Sequence, residues 1–581
     1  MSKCSFHYLN LKWSRLLLFI ITATSTSFAQ GFLHQDGQKI VNGYGQNVLL
    51  RGLGLGGWML QEGYMLKTAD FAGTQSKIKQ EIVELIGKEK TDEFYQKYLD
   101  NGITKQDIDS LAKWGFNSVR LPMHYNLYTL PIEKETIENE NTWLEKGFVI
   151  TDNLLKWCAD NKMYLILDLH AAPGGQGKDA NISDYDDTKP SLWESEANKK
   201  KMIAFWKKVA ERYKESQWIG AYDIINEPNW NFSGTNKNGC DEKLNAPLRQ
   251  LQVDITKAIR EVDNNHLIII EGNCWGNNYD GIFPLWDNNM ALSFHKYWNT
   301  NDASSIQKML DYRTKYNVPI WLGESGENSN VWFTQAISLM EKNNIGWAFW
   351  PMKKIDNIAG VTSVNITDDY KKLLDYWKTR KNKPSEEFVY KTLMQIADNY
   401  RMDNLTIKKD VLDSMFRQVI SDETIPFNNY KIPCEIKSVD YDLGKLNESY
   451  FDTDYQNLWV SDGKEIDWNS GNLYRNDGVD IIKINSDFIV SNIKDGEWLQ
   501  YSFYSEYDKD FDISMKYSNS NHKGEVYLTD KNGKKLTQIT ILPSSSANTI
   551  SIGTIKLKKG NNTLRVVFEK GDLDFYSLIF K

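Results

Sequence analysis

Two stretches in this chain end in glutamates whose setting suits acid–base and nucleophilic chemistry: Tyr222-Asp223-Ile224-Ile225-Asn226-Glu227-Pro228 and Ile320-Trp321-Leu322-Gly323-Glu324-Ser325. Each is an apolar run closed by a carboxylate beside a turn residue. Such runs read as buried parallel strands. A carboxylate just past such a strand stands at the mouth of an α/β fold, where ligands bind. Two glutamates at two strand ends of one barrel can flank a single bond, and glycoside hydrolysis needs that pair, one as acid/base and one as nucleophile. Other strand ends carry Arg120, His170, Asn226, His295, Tyr297 and Trp350. Asp168 lies two positions before His170, so the two side chains share a face of one strand. Asp-x-His alone is a weak metal signal, so Asp168 reads as a buried hydrogen-bond partner, and no metal or cofactor is expected.

The elements that must position these residues follow from the apolar pattern. Eight short runs alternate with helical segments: Val48–Gly54, Ser118–Met123, Tyr164–His170, Ala221–Asn226, Leu267–Gly272, Ala291–His295, Pro319–Glu324 and Ile345–Trp350. Eight β/α alternations are the signature of a (β/α)8 TIM barrel. The excursion Met59–Asn101 belongs to the active-site face and walls the cleft. A helix over Glu386–Tyr400 is expected to close the barrel. Residues 401–432 show no clear core pattern and read as a linker or packing arm. From Pro433 on, short alternating strands separated by Gly, Asn and Asp turns predict an all-β jelly-roll sandwich. The expected domains are therefore a barrel over 30–400, a linker over 401–432 and a sandwich over 433–581.

Composition narrows the partners. The chain has 581 residues, 41% hydrophobic and 25% charged, with 20 Trp and 30 Tyr, and flat rings suit the C–H faces of sugars. The formal charge of -8 argues against nucleic acid or an anionic membrane. Residues 1–29 read as a signal peptide. Lys3, Lys12 and Arg15 precede the apolar stretch Leu16–Ile21, and Ser27-Phe28-Ala29 is a small-x-small cleavage site. Export to a secreted, periplasmic or cell-surface location follows, with no spanning segment in the mature chain and a monomer expected. Cys158, Cys240, Cys274 and Cys434 match no zinc or disulfide framework. Cys158 reads as a core residue, and a Cys240–Cys274 bridge is left open.

The set Arg120, His170, Asn226, Glu227, His295, Tyr297, Glu324 and Trp350, in that order at successive strand ends, resembles glycoside hydrolase family 5, the cellulase family, over residues 45 to 355. The resemblance implies a retaining mechanism with Glu227 as acid/base and Glu324 as nucleophile. Arg120 and Tyr297 would support the nucleophile, and Asn226 would bond the sugar 2-hydroxyl. His170 and His295 would orient hydroxyls or the acid/base, with Trp350 as the stacking floor. Arg51-Gly52-Leu53-Gly54-Leu55-Gly56-Gly57-Trp58 and His170-Ala171-Ala172-Pro173-Gly174 look like the branch with exo-1,3-glucanases. The implied partner is a β-glucan polysaccharide or oligosaccharide, β-1,4 or β-1,3 linked. A mannanase of the same family and a non-catalytic glucan-binding protein are the alternatives.

Residues 432 to 581 resemble a family 6 carbohydrate-binding module through Val439–Gly444, Tyr450–Asp452, Tyr474–Asp480 and Gly496–Tyr501. On that resemblance Tyr474 is the first sugar-stacking aromatic. The turn Pro543–Asn548 lacks the second, and Asp574 stands where an Asn is usual. Trp498 reads as core.

Overall fold

The computed structural model describes residues 30–581 apart from 138–139, 235, 459–465, 469–472 and 520–522. The expected signal peptide, residues 1–29, lies outside the described residues. Eight parallel strands close into a barrel: β1 (Arg51–Gly54), β2 (Ser118–His124), β3 (Tyr164–Ala171), β4 (Ile219–Asp223), β5 (Leu267–Ile270), β6 (Met290–Lys296), β7 (Ile320–Gly326) and β8 (Gly346–Trp350). Nearly every residue of β2 to β8 is buried, because the barrel interior covers one face and the helices cover the other. This explains why the sequence shows continuous apolar runs rather than alternation.

The barrel closes by strand pairing, with Trp347 opposite Arg51 across β8 and β1. The helix Glu386–Asn399, expected to close it, instead packs on the helix Gln75–Gly102 in a separate core around Tyr98, Tyr370 and Tyr400. A hairpin, His34–Asp36 with Lys39–Val41, precedes β1. Leu33, just before it, and its Ile40 join Tyr164, Ile166, Ala221 and Trp321 in a small apolar cluster on the barrel's strands.

Of the two readings of residues 401–432, the structure has the packing arm, not a free linker. Helices Lys409–Met415 and Arg417–Ile420 lie along the helix Asn330–Lys342. Val411 and Met415 enter the main core, and Phe416 meets Phe116 edge-on at 5.0 Å. An arm that buries three apolar side chains cannot swing freely.

The C-terminal domain is the expected β-sandwich. One sheet orders Lys431–Ile432, Trp498–Ser505, Gly560–Lys570, Gly524–Asp530 and Lys535–Ile541. The other orders Ile481–Ile484, Asp487–Val490, Asp574–Phe580, Lys509–Asn519 and Ser544–Leu557. Leu499, Val566 and Leu528 from the first face Phe511, Ile513 and Leu578 from the second in one core.

Candidate active site

All eight barrel residues singled out in the sequence converge at the C-terminal ends of the strands. Glu227, Glu324, His170, Tyr297 and Trp350 line a cavity of about 340 Å³ together with Glu62, Tyr64 and Glu327. Carboxylate oxygens of Glu227 and Glu324 lie within 4.8 Å of one another, with a nitrogen of His295 equally close.

Glu324 is held from two sides. Arg120 Nη1 donates to Oε2 at 2.9 Å, and the Tyr297 hydroxyl donates to Oε1 at 2.5 Å. Arg120 is fully buried. Its fork also reaches Asp223 at 2.9 Å, Asn226 Oδ1 at 2.8 Å, Glu271 at 3.1 Å and Asp168 at 3.2 Å. One guanidinium cannot balance four carboxylates in a low-dielectric site. Burial therefore drives the pKa values of Asp168 and Asp223 well above the usual carboxylate range, despite Arg120.

Glu227 sits in a different field. Burial raises its pKa to about 7; His295 opposes the rise and the charge of Glu324 adds to it. His295 Nδ1 is 2.6 Å from Glu227 Oε1. Burial disfavours the imidazolium, yet Glu271, Glu324 and Glu227 together hold the His295 pKa well above its ordinary value. The Glu227 backbone, at φ 44, is in the left-handed region, and its N–H donates to Glu271 Oε2 at 2.7 Å. Glu271 thus fixes Glu227 through the main chain and His295 through charge.

His170 is the opposite histidine. Burial lowers its pKa to about 3, so the ring is neutral. Nδ1 lies 2.8 Å from Asp168 Oδ2 and Nε2 lies 3.3 Å from the Asn226 amide nitrogen. That network assigns the proton to Nδ1, with Nε2 accepting from Asn226. The expected role of Asp168 as a hydrogen-bond partner is what the structure has. The His170 ring stacks on Trp350 at 5.0 Å and 8°, and Trp350 Nε1 donates to the Tyr64 hydroxyl at 2.9 Å. The glycine-rich run after Arg51 makes room for this indole. A Cβ on Gly54 or Gly56 would lie 2.4 or 2.5 Å from its ring atoms.

Sequence reading missed Glu271, Asp223, Glu62 and Tyr64 as site residues. Glu271 had a signal: Ile268-Ile269-Ile270-Glu271-Gly272 has the same form as the two runs that were recognised. Glu62 and Tyr64 lie in an excursion without periodicity, so no pattern marked them. The bridge left open does form between Cys240 and Cys274. Cys158 is buried in the core as expected.

Tyr474 is not an open sugar platform. Its hydroxyl donates to Asp440 Oδ1 at 2.8 Å. Its ring packs between Phe427 at 5.9 Å and Phe488 at 5.1 Å, and its carbonyl accepts from Lys408. It is a seam residue between arm and sandwich. Trp498, expected in the core, is half-buried under Arg565 at 4.1 Å.

Residues 76–355 match the family model described as Cellulase (glycosyl hydrolase family 5), and residues 470–579 match Carbohydrate binding module (family 35). The second match corrects the expected family 6. A "Beta-xylosidase" of Phanerodontia chrysosporium is 24% identical over 61% of this chain and 77% of its own length. "Endoglucanase C" of Acetivibrio thermocellus is 24% identical over 45% of this chain and 88% of its own length. A "Probable glucan endo-1,6-beta-glucosidase B" of Aspergillus flavus is 23% identical over 52% of this chain and 83% of its own length. Among solved structures, endoglucanase Cel5A from Thermotoga maritima superposes with a TM-score of 0.38 at 17% identity, covering 59% of this chain and 96% of its own. Among the described residues no helix is long and apolar enough to cross a membrane. The match spans the strands that bring Glu227 and Glu324 together, and the barrel of this chain is accordingly a glycosyl hydrolase family 5 domain, followed by a carbohydrate-binding module.

Proposed function

We propose that the chain is an exported retaining β-glucanase that cleaves β-1,4 or β-1,3 bonds of a glucan by double displacement. The observation that carries this reading is the close approach of two carboxyls in opposed fields. Oxygens of Glu227 and Glu324 lie within 4.8 Å. Retaining pairs stand about 5–5.5 Å apart, whereas inverting pairs need roughly 6.5–9.5 Å to admit a water.

In the first step Glu324 attacks the anomeric carbon and forms a glycosyl ester. Glu227, with a pKa of about 7, passes its proton to the departing glycosidic oxygen. Arg120 and Tyr297 hold the attacking carboxylate on both oxygens. Once Glu324 is esterified its charge is gone. That charge is one of the causes raising the Glu227 pKa, so Glu227 becomes the stronger acid and, now ionised, serves as base. It takes a proton from water, the water attacks the anomeric carbon, and Glu324 leaves as carboxylate. Asn226, oriented by Arg120 and His170, is placed to bond the sugar 2-hydroxyl. Trp350 offers its indole as the floor of the cavity.

Relatives named as endoglucanase and glucan glucosidase support a glucan substrate. Export rests on the signal-peptide pattern of residues 1–29. The test is a panel of β-glucans, mannan and xylan with product sizing, run with proton NMR of the first product anomer. Initial release of the β-anomer from a β-glucan supports the reading. An α-anomer removes the nucleophile assignment, and turnover confined to mannan removes the substrate.

A further inference from the structure

The match to a carbohydrate-binding module describes an appendage, yet one asparagine of this module is built into the rim of the catalytic barrel. Asn476 is fully buried, in the Tyr474–Asp480 segment that marks the module in the sequence. Its Nδ2 donates to the Asn328 carbonyl at 2.8 Å and to Asn330 Oδ1 at 3.2 Å. Its backbone carbonyl accepts from Asn330 N at 2.7 Å, and its own N–H donates to Asp410 Oδ2 at 2.7 Å. Asp410, on the packing arm, also accepts from Asn330 Nδ2 at 3.0 Å. Asn328, Asn330 and Asp410 are 0%, 3% and 2% exposed, so water has no access to replace these bonds.

The barrel segment held in this way starts two residues past Glu324. Gly326, at φ 126, and Glu327, at φ 47, turn the chain sharply out of β7. A Cβ on Gly326 would meet the Trp350 carbonyl at 2.7 Å, so the turn is tightly confined on the barrel side. Asn330 then opens a helix, and its N–H is one of the amides a helix leaves without an internal partner. The module's backbone supplies that partner.

From there a chain of hydrogen bonds runs to the reacting carboxyl. Asn476 holds the Asn328 carbonyl, and Asn328 Nδ2 donates to the Tyr297 carbonyl at 3.2 Å. The Tyr297 hydroxyl donates to Glu324 Oε1 at 2.5 Å. The module end of this chain is rigid. On one side of Asn476, Arg475 is buried against the Tyr441 ring at 3.6 Å and bonded to Asp477 at 2.9 Å.

We propose that Asn476 is a positioning residue of the active site, acting through Asn328 and Tyr297 on Glu324, and that the module works as a fixed brace of the catalytic loop. The inference rests on the reading of Glu324 as nucleophile.

The test uses the full chain and a dinitrophenyl deoxyfluoro-β-glucoside, which traps the glycosyl ester. Labelling rate and labelled residue are read by mass spectrometry. Asn476→Ala is expected to slow labelling roughly tenfold, on the scale of one lost buried hydrogen-bond pair. The decisive readout is coupling. In a Tyr297→Phe background, where the last link is already cut, Asn476→Ala is expected to slow labelling less than twofold further, the non-additivity of residues in one network. A merely structural role would give the same factor in both backgrounds and would overturn the proposal. So would wild-type labelling by Asn476→Ala. If Asn476→Ala does not accumulate as folded protein, Asn476→Ser, with a shorter donor, carries the same cycle. A label on a residue other than Glu324 removes the parent reading instead. Normal labelling of Glu324 with no coupling removes only the brace.

Discussion

His295 Nδ1 lies 2.6 Å from Glu227 Oε1, while Nε2 of the same ring lies 3.2 Å from Glu271 Oε1. One imidazole thus ties the proposed acid/base to a carboxyl that itself holds the Glu227 main chain. The acid/base is set by a neighbour of opposite charge as well as by burial, and the balance of the two leaves it near neutrality.

This balance predicts the pH profile. A carboxyl with its pKa raised to about 7 is protonated at neutral pH and loses its proton as pH rises. A general acid works only while protonated, so kcat/KM should fall above pH about 7. His295 opposes the rise in the Glu227 pKa, so His295→Ala should move that alkaline limb to higher pH while lowering the plateau. A limb unmoved in the variant would mean that another group sets it.

The two glutamates should separate by rescue chemistry. Glu324→Gln should abolish turnover, because an amide is too poor a nucleophile. Glu227→Ala should cost roughly 10²–10⁴-fold, the usual span for general acid–base help. Azide needs no general base, so it should restore part of the Glu227→Ala rate and give a β-glycosyl azide. An α-glycosyl azide from that variant would reverse the assignment.

Much of this site was legible in the sequence because its parts sit at the ends of buried parallel strands. Such strands must be continuous apolar runs, so a polar residue that ends one stands out, as Arg120, His170 and Glu324 do. Glu271 ends its run in the same way, but the family resemblance names no residue at the fifth strand. The field that sets the Glu227 pKa was not legible at all. It depends on Glu271 just past β5, His295 of β6 and Glu324 of β7, brought together by barrel closure. The packing arm failed for another reason. Val411, Met415 and Phe416 fall in a short helical stretch whose apolar face is too small to show a period. Tyr474 was placed by analogy with a module family, and its burial depends on Phe427, which no local pattern links to it.

Arg120 should be the most expensive single change. Its fork meets Asp223, Asn226, Glu271 and Glu324. Arg120→Lys keeps the charge but cannot span that set, leaving buried carboxyls unpaired. Breaking a buried pair costs about 3–5 kcal/mol. The loss should be read from denaturant unfolding of the full chain. A change below roughly 1 kcal/mol would mean that the site relaxes around lysine.

The Cys240–Cys274 bridge closes a loop of 34 residues beside Pro228 and Trp275, whose backbones are hydrogen-bonded. Chain-entropy reasoning gives about 3–4 kcal/mol for a loop of this size. Reductant, or Cys274→Ser, should lower the thermal midpoint of the barrel. Because Trp275, next to the bridge, is hydrogen-bonded to Pro228, the residue after the acid/base, KM should rise more than the fall in kcat would account for. An unchanged midpoint with and without reductant would show that the loop is held by other contacts, such as Asn273 to Trp230 at 2.8–2.9 Å.

The sandwich should fold alone yet gain nothing from Tyr474 as a sugar contact. The fragment Pro433–Lys581 keeps both sheets, apart from the two-residue edge strand Lys431–Ile432, and the core around Leu499, Val566, Phe511 and Leu578. In the full chain Tyr474 is occupied, with its hydroxyl on Asp440 and its ring between Phe427 and Phe488. A stacking platform must present a free face, and this ring is partly buried with an aromatic neighbour in the arm and another in the sandwich. Affinity electrophoresis of the full chain against laminarin, a soluble cellulose derivative and xylan should therefore be the same for wild type and Tyr474→Ala. Tyr474→Ala should instead loosen the seam, seen as faster proteolysis between the arm and the sandwich. Strong retardation that disappears in Tyr474→Ala, with the seam still resistant, would restore Tyr474 as a binding residue and show that the ring turns outward to meet the sugar.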